Sequence, residues 1–214
     1  LLAPAGSRQA LTAAVQSGAD AVYLGGPQFG ARYSAENFTI EEMKTWVDYC
    51  HLYGVDVHVT VNTLVKEKEI ESLKEYLKQL NEIGVDALIV QDMGAVEIIK
   101  KTVPDMTLHA STQMTVTSLE GVKYLEDMGF SRVVLARELS EKEIEHICKN
   151  AKAEIEVFVH GAICMCYSGQ CLMSSILGGR SGNRGRCAQP CRLPYDLLEN
   201  GKTVKSGYVL SPKD

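Results

Sequence analysis

Four stretches of the chain repeat one pattern of polar and hydrophobic positions. Each begins with a glycine and a short turn and continues into a run of β-branched or aliphatic residues: SGADAVYLGG (17–26), YGVDVHVTVN (53–62), IGVDALIVQD (83–92) and MGFSRVVLAR (128–137). A glycine just past a helix supplies a left-handed cap, and an unbroken apolar run is typical of a strand buried on both faces. Three further apolar runs, at 1–5, 107–112 and 155–160, fit the same role. The pattern predicts seven strands.

Amphipathic stretches separate these predicted strands. Residues 67–83 keep their apolar positions at helical spacing, with charges on the opposite face. Thr39 with Glu42, and Ser140 with Glu143, have the spacing of a capping box that begins a helix. Alternation of strand and helix predicts a parallel sheet with right-handed crossovers. We therefore predict an α/β fold, a (β/α)8 TIM-like barrel that is incomplete at its C-terminal end. No G-x-G-x-x-G follows the first strand, which argues against a dinucleotide-binding fold.

The pattern changes after the seventh predicted strand and divides the chain into three parts. Residues 1–161 are expected to supply the strands and helices of the barrel. Residues 162–192 are rich in Cys and Arg and are expected to cap it. Residues 193–214 are expected to form a β-hairpin and the start of the missing barrel end, because Asn200-Gly201 stands between two strand-like runs.

Composition narrows the class of protein. The 214 residues are 45% hydrophobic and 23% charged, as in a globular protein. Without a run of 18 apolar residues, no membrane span is expected. No signal peptide is visible, and because the sequence starts at Leu1 rather than Met, a removed leader stays open. Five of the seven cysteines lie between positions 164 and 191. This clustering favours a metal or catalytic site in a reducing, cytoplasmic protein over a secreted disulfide framework.

Positive charge is concentrated in one stretch. Residues 157–195 contain four arginines and no acidic residue, so they carry +4 while the rest of the chain carries −9. Glycines in the stretch 178–186 let backbone amides approach an anion, and arginine can bind phosphate or carboxylate through two hydrogen bonds. The predicted substrate- or anion-binding residues are Arg180, Arg184, Arg186 and Arg192, with Gln113 after the fifth strand. The alternative is a solvated loop whose arginines pair with acids elsewhere on the protein.

The cysteines have the spacing Cys164-x6-Cys171-x15-Cys187-x3-Cys191, with Cys166 as an extra thiol. Four thiolates can hold a [4Fe–4S] cluster, and soft sulfur ligands suit iron–sulfur or zinc. Zinc sites usually use two close cysteine pairs, and this sequence has one, so zinc is the second choice. Packing as small buried residues is a further alternative. That packing role is what we predict for the two remaining cysteines, Cys50 and Cys148.

Polar residues stand where several predicted strands end. In barrels of this kind, catalysis takes place at the carboxyl ends of the strands. The predicted catalytic or positioning residues are therefore Asn62, Arg137, Glu138 and His160, together with His109. His109 lies inside its strand, so a hydrogen-bonded core histidine is the alternative for it. Asn62 and Gln113 could equally be structural turn residues.

Several long motifs resemble peptidase family U32, the collagenase-like peptidases. They are EVFVHGAIC (156–164), YSGQCLMS (167–174), GRSGNRGRCAQPCR (179–192) and LSPKD (210–214), with LAPAG (2–6) and AVYLGG (21–26) near the start. The resemblance implies either a peptidase or an RNA hydroxylase. Hydroxylases of this family act on a tRNA wobble uridine, with prephenate as oxygen donor, or on a ribosomal cytidine. Relatives hydroxylate ubiquinone without oxygen.

The resemblance also implies roles for particular residues. In the hydroxylase branch four cysteines hold a [4Fe–4S] cluster, and by motif they correspond to Cys164, Cys171, Cys187 and Cys191. Cys166 is outside that pattern. Family members continue past position 214 into a last strand and a further domain, so that missing domain or a related subunit is an expected partner. A tRNA or another RNA, and a small dicarboxylate, are the expected ligands.

Three functions follow in order of preference. The first is an iron–sulfur RNA hydroxylase acting on C5 of a tRNA wobble uridine. The second is a U32 peptidase, although no H-E-x-x-H or G-x-S-x-G motif is present. The third is a zinc-stabilised binding module without catalysis.

Overall fold

A computed structural model describes residues 1–31, 35–161 and 164–211. Its main sheet has seven parallel strands, and each strand pairs with the one that precedes it along the chain. The sheet curls into a half-barrel with helices between the strands, which confirms the predicted incomplete TIM-like barrel. The strands are β1 (Leu2–Pro4), β2 (Ala21–Gly25), β3 (Asp56–Val61), β4 (Ala87–Val90), β5 (Thr107–Ala110), β6 (Arg132–Val134) and β7 (Glu154–Glu156).

Six helices connect these strands and a seventh lies in the cysteine-rich part. They are α1 (Arg8–Gln16), α2 (Ile40–Leu52), α3 (Ile70–Glu82), α4 (Met93–Thr102), α5 (Leu119–Asp127), α6 (Glu141–Asn150) and α7 (Met173–Gly178). The capping box at α2 is present, since the backbone N–H of Thr39 donates to Glu42 and its hydroxyl accepts from the Glu42 N–H. At α6 the Ser140 N–H donates to Glu143 over 2.7 Å.

The hydrophobic core lies between the sheet and the helices. All four residues of β4 are buried, and α3 buries Leu73, Tyr76, Leu77 and Leu80 at the spacing of one helical face. The four glycines of the repeated pattern have φ of +83°, +68°, +78° and +84°. These left-handed turns are the predicted caps, and they occur at Gly18, Gly54, Gly84 and Gly129. The pattern of apolar runs and glycines therefore predicted the scaffold correctly.

Two expectations about the scaffold are wrong. The seventh strand was expected over 155–160, but β7 ends at Glu156, and Val157, Phe158 and Val159 are exposed. Within the described chain β7 pairs only with β6, so nothing on its other side supports a longer ladder. Cys148 is exposed although Cys50 is fully buried as predicted. Ile147 takes the core-facing position of α6, which turns the next residue outward.

The predicted hairpin is present. β8 (Tyr195–Glu199) and β9 (Lys202–Gly207) pair in antiparallel register around a two-residue turn. Asn200 and Gly201 have φ of +50° and +76°, the pair of positive angles that a tight turn of this type needs. None of the described helices is both long and apolar enough to cross a membrane.

Candidate functional site

Residues 164–192, here called the cysteine segment, are docked on the carboxyl ends of the strands. One docking point is the turn 167–170, in which the Gln170 N–H donates to the Tyr167 carbonyl over 3.0 Å. The buried Ser168 is bound by two residues that follow β6. Its N–H donates to Glu138 over 3.2 Å, and its hydroxyl accepts from Arg137 over 3.4 Å. Arg137 and Glu138 thus hold the cysteine segment in place.

The same turn is fitted closely to the loop after β5. The Thr115 hydroxyl donates to the Ser168 carbonyl over 2.5 Å and accepts from the Gln170 side chain over 3.0 Å. Gly169 has φ +75°, and a Cβ there would lie 2.2 Å from the Gln113 carbonyl oxygen. Thr115 itself has φ +59°, which is unusual for a β-branched residue. Such strain persists only where surrounding contacts enforce it.

A second docking point is formed by residues 178–186, here called the Gly-Arg loop. The Arg184 guanidinium binds the Glu69 carboxylate through two hydrogen bonds of 2.6 and 3.0 Å, and it also donates to the Leu64 carbonyl. This contact holds the pKa of Glu69 below its usual range. The Asn183 carbonyl accepts from the Leu64 N–H over 3.3 Å and from the Gln91 amide over 3.2 Å. Arg184 is therefore an arginine paired with a distant acid, and its predicted anion-binding role gains no support.

Asn62 connects this docking point to the strand ends. Its side-chain oxygen accepts from the Ala31 N–H over 2.9 Å, and its side-chain nitrogen donates to Ser111 over 3.4 Å. Its carbonyl accepts from Gln91 over 2.7 Å. Both ends of the Asn62 amide thus tie loops together, as expected of a positioning residue. A catalytic role for Asn62 stays a prediction, as does substrate or anion binding by Gln113, whose side-chain oxygen is buried and accepts no hydrogen bond from the described residues.

The other arginines of the segment lie on its surface or beside the thiols. Arg180 is exposed and donates to the Arg186 carbonyl over 3.2 Å. Arg186 is exposed, and Arg192 is half-buried next to Cys191. Their predicted anion-binding role stays a prediction. The charges of Arg180 and Arg186 are carried on a loop that Arg184 fixes to the barrel.

The four predicted ligand cysteines lie near one another. Burial raises the pKa of the Cys191 thiol, and nearby Cys164, Cys187 and Cys171 raise it further, while Arg192 opposes them. Gly182 lies between two of the four: a Cβ there would be 3.7 Å from the Cys187 Cβ and 3.9 Å from the Cys171 carbonyl. The Cys187 sulfur accepts from the Gln189 N–H over 3.3 Å.

In number and kind, these donors fit a [4Fe–4S] cluster or zinc. Neighbouring thiolates repel one another, and a bound cationic centre relieves that repulsion. Across the three described ranges, no three His, Cys, Asp or Glu side chains already stand in a metal-binding arrangement. Binding would therefore draw the thiols together, as in other sites whose metal completes the local fold.

The two predicted histidines differ in their surroundings. His160 is exposed four residues beyond β7, in the stretch where the Phe158 ring lies 5.7 Å from the Arg137 guanidinium. His109 is buried inside the half-barrel, and its ring meets His58 edge-on with centroids 4.6 Å apart. Burial, then His58 and Arg132, lower the pKa of His109 to about 3. A neutral buried imidazole fits a core position, but the His109 Nδ1 has no hydrogen-bond partner among the described residues, so the hydrogen-bonded alternative is not confirmed. The catalytic roles of both histidines stay predictions.

A separate cavity of about 670 Å³ opens beside the ends of β1 and β2. Its described lining comprises Ser7, Arg8, Gln9, Pro27, Ala35, Glu36, Asn37, Phe38, Thr39 and Glu42, and the cysteine segment contributes none of these. The cysteine segment, by contrast, brings together the side chains that could bind a metal or an anion, and we take it as the candidate site. Sequence reasoning missed the residues that anchor it, namely Glu69, Gln91, Thr115 and Ser168. The Ser-Gly pair at 168–169 was a turn signal that could have indicated one anchor.

Comparisons with known proteins agree with the motifs. The chain is 45% identical over 216 residues to the 23S rRNA 5-hydroxycytidine C2501 synthase of Escherichia coli, covering all of this chain and 32% of that protein. It is 40% identical over 222 residues to tRNA hydroxylation protein P1 of Bacillus subtilis, covering all of this chain and 53% of that protein. The chain thus spans about a third to a half of these relatives.

A solved structure supports the fold independently. The U32 peptidase Mk0906 superposes with a TM-score of 0.60 at 20% identity, over 73% of this chain and 66% of that one. At this identity the likeness concerns the fold alone. The sequence profile of Peptidase family U32 matches residues 6–214. The chain belongs to peptidase family U32.

Proposed function

We propose that this chain is part of an RNA hydroxylase in which Cys164, Cys171, Cys187 and Cys191 hold a [4Fe–4S] cluster. The observation that carries the proposal is the convergence of three of these thiols on the fourth, in an acid-free segment docked on the strand ends. Barrels of this kind perform their chemistry at that edge. The two relatives that modify RNA support the reaction class. A cytoplasmic location is part of the proposal, because the thiols and an RNA substrate both suit a reducing compartment.

The proposed substrate is a pyrimidine base, and specifically C5 of a tRNA wobble uridine. The E. coli relative is named for a hydroxycytidine of ribosomal RNA and the B. subtilis relative for tRNA. The two candidate substrates differ at the pyrimidine C4 substituent and in the surrounding RNA. Nucleoside analysis of both RNA classes therefore distinguishes them in one experiment.

The chain's own residues have distinct parts in the proposed mechanism. When bound, the cluster supplies the redox chemistry at the barrel mouth. Arg180 and Arg186 attract RNA phosphate, or the carboxylates of a small donor such as prephenate, because both side chains are exposed. The Gln189 N–H donates to the Cys187 sulfur and stabilises negative charge on it.

Metal analysis of the full-length protein, purified without oxygen, tests the proposal. We expect about four irons and four sulfides per chain, and loss of both in Cys187→Ser and Cys191→Ser. Cys148→Ser is the matched control, because that thiol is exposed on α6, outside the cysteine segment, and should keep the iron. A strain lacking the gene should also lack one hydroxylated pyrimidine in tRNA or rRNA. Protein that binds no iron, or complete RNA modification in that strain, would rule the proposal out.

The family name keeps a peptidase as the second candidate. A cysteine peptidase would pair a thiol with histidine, and the hydrogen bonds of the described residues include no such pair. Gelatin degradation by the same preparation would favour the peptidase if it survived Cys187→Ser. Stoichiometric zinc without either activity would instead favour the binding module.

A further inference from the structure

Cys166 is the fifth thiol of the cysteine segment, and the proposed cluster does not use it. It stands immediately before the turn 167–170, and Cys171 stands immediately after it. The turn is closed by the Gln170 N–H on the Tyr167 carbonyl, with Gly169 at φ +75° in its third position. A closed turn brings its first and fourth Cα atoms to within about 7 Å, so the chain on either side of it starts from nearby points, and a disulfide joins Cα atoms about 4.4–6.8 Å apart.

The two thiols are also neighbours. Burial raises the pKa of the Cys166 thiol and nearby Cys171 raises it further, and both side chains are half-buried. Cys164 is a further neighbour of Cys166, but no closed turn relates those two positions. The position of the pair is fixed from outside as well, because Ser168 and Gly169 at the tip of the turn are held by Thr115, Glu138 and the Gln113 backbone. The docking of the segment thus fixes the turn that lies between the two cysteines.

We propose that Cys166 and Cys171 form a redox switch: in protein without a cluster they oxidise to a disulfide across the turn, and this bridge blocks cluster assembly until it is reduced. The consequence for assembly rests on the proposed function, since Cys171 is one of the four ligands. The bridge itself depends only on the turn. In the bridged state one of the four ligand thiolates is missing. The bridge also protects the sulfurs of Cys166 and Cys171 from irreversible oxidation.

A low-molecular-weight disulfide, such as glutathione disulfide, is the oxidant. The Cys166 thiolate attacks one of its sulfurs, which breaks the S–S bond, forms a mixed disulfide and releases one glutathione thiolate. The Cys171 thiolate then attacks the Cys166 sulfur and releases the second. The protein loses two electrons and two protons, and the oxidant becomes two molecules of glutathione.

The test uses full-length protein stripped of iron with a chelator and equilibrated in buffers of increasing glutathione disulfide content. Free thiols are blocked and the protein is cut after Tyr167 with chymotrypsin, which separates Cys171 from Cys164 and Cys166. We expect the first bridge to join Cys166 to Cys171. Because Cys164 and Cys166 stay on the same peptide, fragmentation of that peptide at Met165 shows which of the two is bridged. The Cys166→Ser variant should show no bridge at Cys171 under the same conditions.

Iron uptake provides the second measurement. Oxidised wild-type protein should fail to take up iron and sulfide until dithiothreitol is added, whereas oxidised Cys166→Ser should take them up directly. A first bridge between Cys171 and any other cysteine, or none at all, would overturn the inference even in protein that binds a cluster normally. If no preparation ever binds iron, the proposed function fails, while the peptide mapping still decides whether the bridge forms.

Discussion

The half-barrel and the cysteine segment are held together by different kinds of contact. Large apolar residues that are fully buried, such as Leu77 and Leu88, fill the barrel core. In the described part of the cysteine segment the buried residues are Ser168, Ser174 and Pro190, and most of its large apolar side chains, among them Ile176 and Leu177, are exposed. The barrel therefore gains its stability from apolar burial, whereas the segment depends on a few polar anchors and, in our proposal, on its metal. A change in one region should leave the other largely intact.

The largest effect should follow from a cavity in the core. Leu88→Ala in β4, where the side chain is fully buried, should lower the free energy of unfolding by about 2–5 kcal/mol. Urea unfolding followed by fluorescence of Trp46, the one tryptophan of the chain, measures this. Leu177→Ala in the segment, where the residue is 64% exposed, should stay within about 0.5 kcal/mol of the wild type. Equal losses of unfolding free energy in both variants would contradict the idea that the two regions are stabilised by different kinds of contact.

Acid should weaken the barrel through His109. Its pKa is about 3 in the folded protein, against an ordinary value of 6.5, so below pH 6.5 the unfolded chain binds a proton that the folded one rejects. Folding stability should therefore fall as the pH drops from 6.5 towards 3, by about 1.4 kcal/mol per pH unit from this group. His109→Gln should flatten the plot of unfolding free energy against pH in that window. Parallel plots for the wild type and the variant would show that His109 is not the source of the acid sensitivity.

The docking of the segment should fail when its turn is obstructed. Gly169→Ala adds a Cβ that lies 2.2 Å from the Gln113 carbonyl, at a φ of +75°, a combination that costs about 1–3 kcal/mol in strain. Trypsin should then cut at Arg180 and Arg186 several-fold faster, while urea unfolding of the barrel changes little. Gly178→Ala is the matched control, because a Cβ there meets nothing within 4 Å. Unchanged cleavage in Gly169→Ala would show that this turn does not anchor the segment.

The smallest effect should come from the ion pair. Glu69→Gln removes the carboxylate that binds Arg184, and this partly exposed pair contributes about 1 kcal/mol or less. Tryptic cleavage of the segment should rise about two- to fivefold, and added salt should produce a similar rise in the wild type. Glu71→Gln is the control, since that residue is 86% exposed and pairs with Lys74 on its own helix. A rise as large in Glu71→Gln would argue against a specific anchor.

The same contrast explains what the sequence could predict. Apolar runs and glycines recur along the barrel, so its seven strands and the caps at Gly18 and Gly54 follow from local patterns. The pairing of Arg184 with Glu69 joins positions 115 residues apart, and no local pattern records it. Because this acidic partner is remote in the sequence, Arg184 stands in a stretch without acidic residues, and that stretch suggested anion binding. The nearness of the cysteines was expected from their spacing and from the family resemblance, whereas the clamp on Ser168 by Arg137 and Glu138 was not expected.

The sequential order of the sheet has a consequence for how the chain folds. Since every strand pairs with its predecessor, each new strand emerging from the ribosome can add to a sheet that already exists, and the loops to be closed stay short. The contacts that fix the Gly-Arg loop span 92 to 120 residues and need β3, β4 and α3 in place first. The segment can thus dock, and its thiols take up their positions, only after the surface that receives it is complete.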